Sequence, residues 1–142
     1  NEIDKKIFKK ANSINEFKMI AFFPGKFVPP HLGHIITIMS IYEKYDKVIV
    51  GITDESDLII SQKERESIFQ SVFKHLSKIK IMILPGILVE YKNADAMPLF
   101  DVCITGNDQV VNKMKQFNKQ VIKTPRSQGF GYSGTEIRSL LK

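Results

Sequence analysis

Five short runs rich in apolar residues recur along the chain, and each one ends in turn-forming residues. They cover residues 19–23, 47–53, 80–84, 102–105 and 120–123, closed by Pro24-Gly25, Asp54-Glu55, Pro85-Gly86, Gly106-Asn107-Asp108 and Pro125. The stronger runs are apolar on consecutive positions instead of alternating, as in strands buried on both faces. Between them the pattern changes to a helical period. Ile35, Ile36, Ile38, Met39, Ile41 and Tyr42 form a broad apolar face, Ile68, Phe69, Val72 and Phe73 a second, and residues 110–117 a third. Ser61 with Glu64 three positions on predicts the capped start of the second helix. Residues 87–91 are expected to extend the third strand or to form a short one of their own. Pro98 argues against a long helix in residues 93–99. Strands alternating with helices predict a parallel sheet wound by right-handed crossovers.

Residues 1–18 stand apart. Ile3, Ile7, Phe8 and Ala11 fall at roughly helical spacing among lysines, so the segment is expected to be an appendage, a linker or a satellite helix. The domain proper is expected over 19–142.

In such a sheet ligands bind outside the carboxyl ends of the strands. Four loops are expected to meet there: residues 25–34, 53–56, 106–108 and 126–135. The first reads Gly25-Lys26-Phe27-Val28-Pro29-Pro30-His31-Leu32-Gly33-His34. The prolines stiffen the loop and delay the helix. His31 and His34 then lie on one face of its start, beside the positive end of the helix dipole, and such a helix start binds phosphate. Gly25 is expected to make the turn out of the strand, Gly33 to let an anion approach the backbone, and Lys26 to add a mobile cation. Zinc is disfavoured as the partner of the two imidazoles. It wants about four ligands, whereas the chain has three histidines and one cysteine. The last loop reads Gly129-Phe130-Gly131-Tyr132-Ser133-Gly134-Thr135-Glu136-Ile137-Arg138, in which Ser133 or Thr135 caps a helix and Arg138 adds a charged fork. The acidic turn Asp54-Glu55-Ser56-Asp57 reads as a solvated cap or as a magnesium or ribose contact.

Composition narrows the field. With 142 residues, 43% hydrophobic and 25% charged, the chain suits one soluble domain. No apolar run approaches the ~20 residues of a membrane span, and the lysine-rich residues 1–18 do not resemble a secretory signal. A single cysteine, Cys103, excludes an intrachain disulfide framework and points to the cytoplasm. A net charge of +6 implies an anionic partner or a lysine-rich background. The lysines are scattered, without the clustering of a nucleic-acid binder.

Gly-Lys-Phe-x-Pro-x-His-x-Gly-His resembles the signature of the HxGH nucleotidyltransferase superfamily, which holds nicotinamide mononucleotide and phosphopantetheine adenylyltransferases and the small cytidylyltransferases. Residues 132–138 resemble the Ser-x-Thr-x-Ile-Arg box of archaeal nicotinamide mononucleotide adenylyltransferases. The fold class expected is therefore α/β, a Rossmann-like open parallel five-stranded sheet with helices on both faces. The resemblance implies transfer of a nucleoside monophosphate from a triphosphate to a small phosphate-bearing acceptor, with release of pyrophosphate. It assigns Lys26, His31, His34 and Arg138 as catalytic. Phe23, Gly25, Phe27, Gly33, Gly106, Asp108, Ser133, Gly134 and Thr135 go to the nucleotide, and Thr53, Arg65 and Arg126 to the acceptor. Glu64-Arg65 also reads as no more than a cap. Magnesium is expected to arrive bound mainly through the nucleotide phosphates.

The partners are a nucleoside triphosphate, ATP or CTP, and a small phosphorylated acceptor, with no nucleic acid and no membrane; a homo-oligomer is left open. Nicotinamide mononucleotide with ATP fits the opening motif. Arg126-Ser127-Gln128-Gly129 and Gly106-Asn107-Asp108 are similar to Arg-Thr-Glu-Gly and Gly-Asp-Asp of cytidylyltransferases, which favours CTP and a phosphorylated or phosphonate metabolite. A nucleotide-sensing domain without turnover is the reading from another class.

Overall fold

The computed structural model describes residues 19–54 and 60–125. Within them the apolar runs become strands β1 (Ile20–Gly25), β2 (Lys47–Ile52), β3 (Ile79–Ile83), β4 (Val102–Thr105) and β5 (Val121–Lys123). Helices α1 (Leu32–Lys44), α2 (Gln62–Val72) and α3 (Asp108–Gln116) alternate with them. The strands form one sheet in the order β3-β2-β1-β4-β5, and every pairing is parallel.

Side chains on a strand point alternately to the two faces, so a run that is apolar throughout must meet a cover on both sides. Ala21, Phe23, Val48, Val50, Ile52, Val102 and Ile104 pack on one face with Ile38 and Ile41 of α1 and Phe69 of α2. Phe22, Ile49 and Cys103 face the other way, against Leu84, Leu88, Met97 and Val110 and Met114 of α3. Helices thus cover both faces. The close fit at the sheet centre explains Gly51, where a Cβ would stand 2.7 Å from both Leu84 Cδ1 and Phe22 Cε1.

The helix starts follow from capping. Ser61 accepts the Glu64 N–H at 3.1 Å, and Asn107 accepts those of Gln109 and Val110 at 2.8 and 3.4 Å, satisfying donors that a helix start leaves open. Residues 87–91 depart from the expected strand. Leu88–Glu90 form a 3-10 turn, which drops Leu88 into the core beside Leu84 and carries the chain over the sheet face. Among the described residues no helix is long and apolar enough to cross a membrane.

The strand order sets the location of a site. β1 lies between β2 and β4, and the chain leaves β1 toward one face and β4 toward the other. A crevice therefore opens at the carboxyl ends of β1 and β4, where α1 and α3 diverge.

Candidate active site

Gly25 is the last residue of β1, and its carbonyl accepts from the Thr53 N–H at 3.0 Å and the Thr53 hydroxyl at 3.2 Å. The turn itself is made two residues later. Phe27, not Gly25, adopts the left-handed conformation, with φ 55. Gly25 answers a different need, because a Cβ there would come within 2.9 Å of Phe27 Cζ. The Phe27 ring lies over that bare backbone and meets Phe23 at 5.6 Å and, edge-on, Phe69 and His34 at 4.8 Å each. Phe23 and Phe27, expected at the nucleotide, are buried in the core. Their rings form the floor under the loop, since a buried aromatic gains more from apolar neighbours than from an open edge.

His31 is the residue just before α1, and His34 is the third residue inside it. The imidazoles stack at 3.6 Å between centroids, 24° from parallel. The His31 backbone N–H donates to His34 Nδ1 at 3.1 Å. An imidazole nitrogen that accepts carries no proton, so in neutral His34 the proton sits on Nε2. Burial first, and the neighbouring His31 second, pull the His34 pKa down to about 3. His34 is therefore an uncharged donor at neutral pH. The first turn of α1 carries no acidic residue, so none of its own carboxylates competes for the positive helix end. Buried Gly33 lies between the two imidazoles in sequence, and Thr37 donates to its carbonyl at 2.9 Å.

The residues expected at the acceptor are placed differently. Thr53 is buried, with its hydroxyl on Gly25. Arg65 is 0% exposed. Its Nη1 donates to the carbonyls of Lys26 and, at 3.0 Å, Thr53, and its Nε to that of Ser61 at 3.3 Å. Both side chains, expected at the acceptor, contact the scaffold beneath the loop. No sequence pattern marks Gln62, yet its amide joins the ends of β2 and β3 by donating to Ile52 and Leu84 carbonyls at 2.8 Å each. Lys26 is exposed at the rim.

Across the crevice, an open cleft of about 590 Å³ is lined by Gly106, Asn107, Asp108, Gln109, Lys123, Thr124 and Pro125. Gly106 and Asp108 thus lie where a ligand could reach them. Asp108 forms an exposed ion pair with Lys123 at 2.7 Å. Lys123 carried no motif, but the register Thr105↔Lys123 brings it to the cleft. Cys103 is a core residue whose thiol burial pushes up to about 12, which makes it inert. Arg126, Ser133, Gly134, Thr135 and Arg138 lie outside the described residues, as do Glu55, Ser56 and Asp57 of the acidic turn and the segment 1–18. Among the described residues no group of three or more His, Cys, Asp or Glu side chains is placed to hold a metal ion.

A doubly wound parallel sheet, with a histidine-flanked helix start at the point where its strand order reverses, defines a Rossmann-like α/β domain. The chain belongs to the cytidylyltransferase-like family, whose pattern it matches over residues 22–140. It is 30% identical over 129 residues to the nicotinamide-nucleotide adenylyltransferase of Methanosarcina mazei, covering 83% of this chain and 74% of that protein. It is 36% identical over 74 residues to the phosphopantetheine adenylyltransferase of Bdellovibrio bacteriovorus, covering 51% of this chain and 46% of that one. Among solved structures, NadR protein in complex with NAD and AMP-PNP superposes with a TM-score of 0.64 at 16% identity, over 85% of this chain and 42% of that chain. A bifunctional NMN adenylyltransferase/ADP ribose pyrophosphatase from Francisella tularensis gives 0.62 at 18%, over 86% of this chain and 41% of that chain. The chain thus spans less than half of some of its relatives and about three quarters of others.

Proposed function

We propose that this domain transfers a nucleoside monophosphate from a nucleoside triphosphate to a small phosphate-bearing acceptor, with ATP and nicotinamide mononucleotide as the pair. The observation that carries the reading is the stacked His31–His34 pair at the start of α1, with His34 held as a neutral Nε2–H donor. Family membership and the archaeal nicotinamide-nucleotide adenylyltransferase relatives support it.

An acceptor phosphate oxygen forms a bond to the α-phosphorus as the α–β bridging bond breaks, and the electron pair leaves with pyrophosphate. Nucleophile and leaving group are both anionic near neutral pH, so the protein's task is alignment and charge stabilisation, not proton abstraction. His31 and His34 donate to phosphate oxygens, and Lys26 adds a cation from the rim. Arg138 is assigned from the sequence as the clamp on the departing pyrophosphate. The Gly106–Asp108 loop holds ribose or base. Magnesium, carried in on the triphosphate, would offset its charge. Phosphate oxygens and water would supply most of its coordination. The setting proposed is the cytoplasm.

CTP remains a second candidate because Gly106-Asn107-Asp108 borders the open cleft. A pyrophosphate-release screen crossing four nucleoside triphosphates with phosphate-bearing metabolites tests the proposal. ATP with nicotinamide mononucleotide is expected to give the highest rate. Preference for CTP would move the base assignment. Triphosphate binding without release from any pair would favour a sensor.

A further inference from the structure

Residues 26–28 combine a task with a strained backbone. Lys26 must present its side chain at the rim, yet the next residue, Phe27, is a bulky residue at φ 55, a conformation that such side chains rarely adopt. A loop of this kind keeps its shape only when it is held on both sides of the strain. On one side the hold is the buried Phe27 ring, lodged against Phe23, Phe69 and His34. On the other it is Arg65.

The Arg65 side chain comes up from the first turn of α2 with no exposed surface. Its Nη1 spans the carbonyl of Lys26 and that of Thr53, joining the strand ends of β1 and β2. Its Nε is tied back to the N-cap carbonyl of Ser61, so the guanidinium is referenced to α2 and cannot slide. Gln62, three residues earlier at the start of the helix, holds the ends of β2 and β3 in the same way with a neutral amide. The charged fork therefore sits at the strand end that carries the reactive loop, where a planar, permanently ionised donor can hold two carbonyls at once.

We infer that Arg65 is a positioning residue for the transfer reaction. It fixes the Lys26 carbonyl, and with it the direction in which the Lys26 side chain leaves the loop, without touching either substrate. The kinetic half of this inference rests on the transfer reading proposed above.

The test is a double-mutant cycle of Arg65→Lys with Lys26→Ala in the full chain, read as pyrophosphate release from ATP and nicotinamide mononucleotide, or from the best pair in the screen. Arg65→Lys is expected to lower kcat roughly tenfold, with KM for both substrates moving less than about threefold, because a small misplacement of a catalytic group costs rate, not binding. In the Lys26→Ala background the same change should cost less than about threefold, since there is no ammonium left to misplace. Equal losses in both backgrounds, or a loss confined to KM, would overturn the inference. A second readout does not depend on turnover. Amide hydrogen exchange at Lys26 and Phe27 should speed up roughly tenfold or more in Arg65→Lys while amides inside β2 and α2 keep their rates. If no substrate pair reacts, the transfer reading fails and this measurement alone decides; unchanged exchange would then refute the role of Arg65. A variant that does not fold at all would assign Arg65 to folding and overturn the inference as well.

Discussion

The neutral state of His34 makes a quantitative demand on how the protein responds to acid. The unfolded chain binds a proton at this residue with a pKa near 6.5, and the native chain only near 3. Below pH 6.5 the unfolded state therefore holds more protons at this position than the native state, and stability falls as pH falls. The contribution is complete above 6.5 and is lost progressively down to about 3. Each pH unit inside that window is worth about 1.4 kcal/mol. The ceiling over the whole window is ~5 kcal/mol, and partial solvent access to the ring should reduce it to ~2–3 kcal/mol.

His34→Asn isolates the effect, because the Asn side-chain oxygen can still accept the His31 N–H while nothing at residue 34 titrates. Urea unfolding of both proteins at pH 7.5, 6.5, 5.5 and 4.5 should show the native advantage of wild type over the variant shrinking by about 1 kcal/mol per unit below 6.5. Carboxylates contribute equally to both curves and cancel. Nitrogen NMR on the imidazole should find Nδ1 bare and Nε2 protonated down to pH 5. Parallel unfolding curves, or a His34 resonance titrating near 6.5, would refute the argument. Turnover at pH 7.5 should fall roughly a hundredfold in His34→Asn, the usual cost of one lost transition-state donor.

Gly25→Ala should destabilise by ~1–3 kcal/mol in urea unfolding, because the new Cβ at 2.9 Å from Phe27 Cζ forces the ring off its seat. Gly51→Ala should cost a similar ~1–3 kcal/mol, through the 2.7 Å approach to Leu84 and Phe22, but without a change in turnover per folded molecule, since those side chains lie on the face away from α1. Arg138→Ala should weaken triphosphate affinity, measured by calorimetry, by roughly tenfold; an unchanged affinity would remove Arg138 from the phosphate site.

The strands were legible because a parallel sheet covered on both faces leaves consecutive apolar residues and little else that could explain them. Val102–Thr105 was bounded correctly by its turn, and Ser61 announced the start of α2. Short apolar runs are ambiguous in period, and residues 87–91 became a 3-10 turn for that reason. The turn expected at Gly25 is made at Phe27, where tertiary packing holds a left-handed backbone that no sequence pattern marks. Burial of Arg65 was also hidden, because a charged pair at a helix start has the same sequence pattern whether it caps in solvent or reaches under a loop.

What the sequence pattern could not reveal is that these departures are linked. Gly25 lacks a side chain, so the Phe27 ring can lie over it; Phe27 then stands edge-on to His34 at 4.8 Å and takes up space that water would otherwise fill. The burial that lowers the His34 pKa is therefore partly made by the same ring that holds the strained turn. It follows that Gly25→Ala should raise the His34 pKa toward 6.5 as well as loosen the loop. A destabilised Gly25→Ala protein with an unmoved His34 resonance would show that the imidazole draws its neutrality from elsewhere in α1, and would separate the floor of the site from its chemistry.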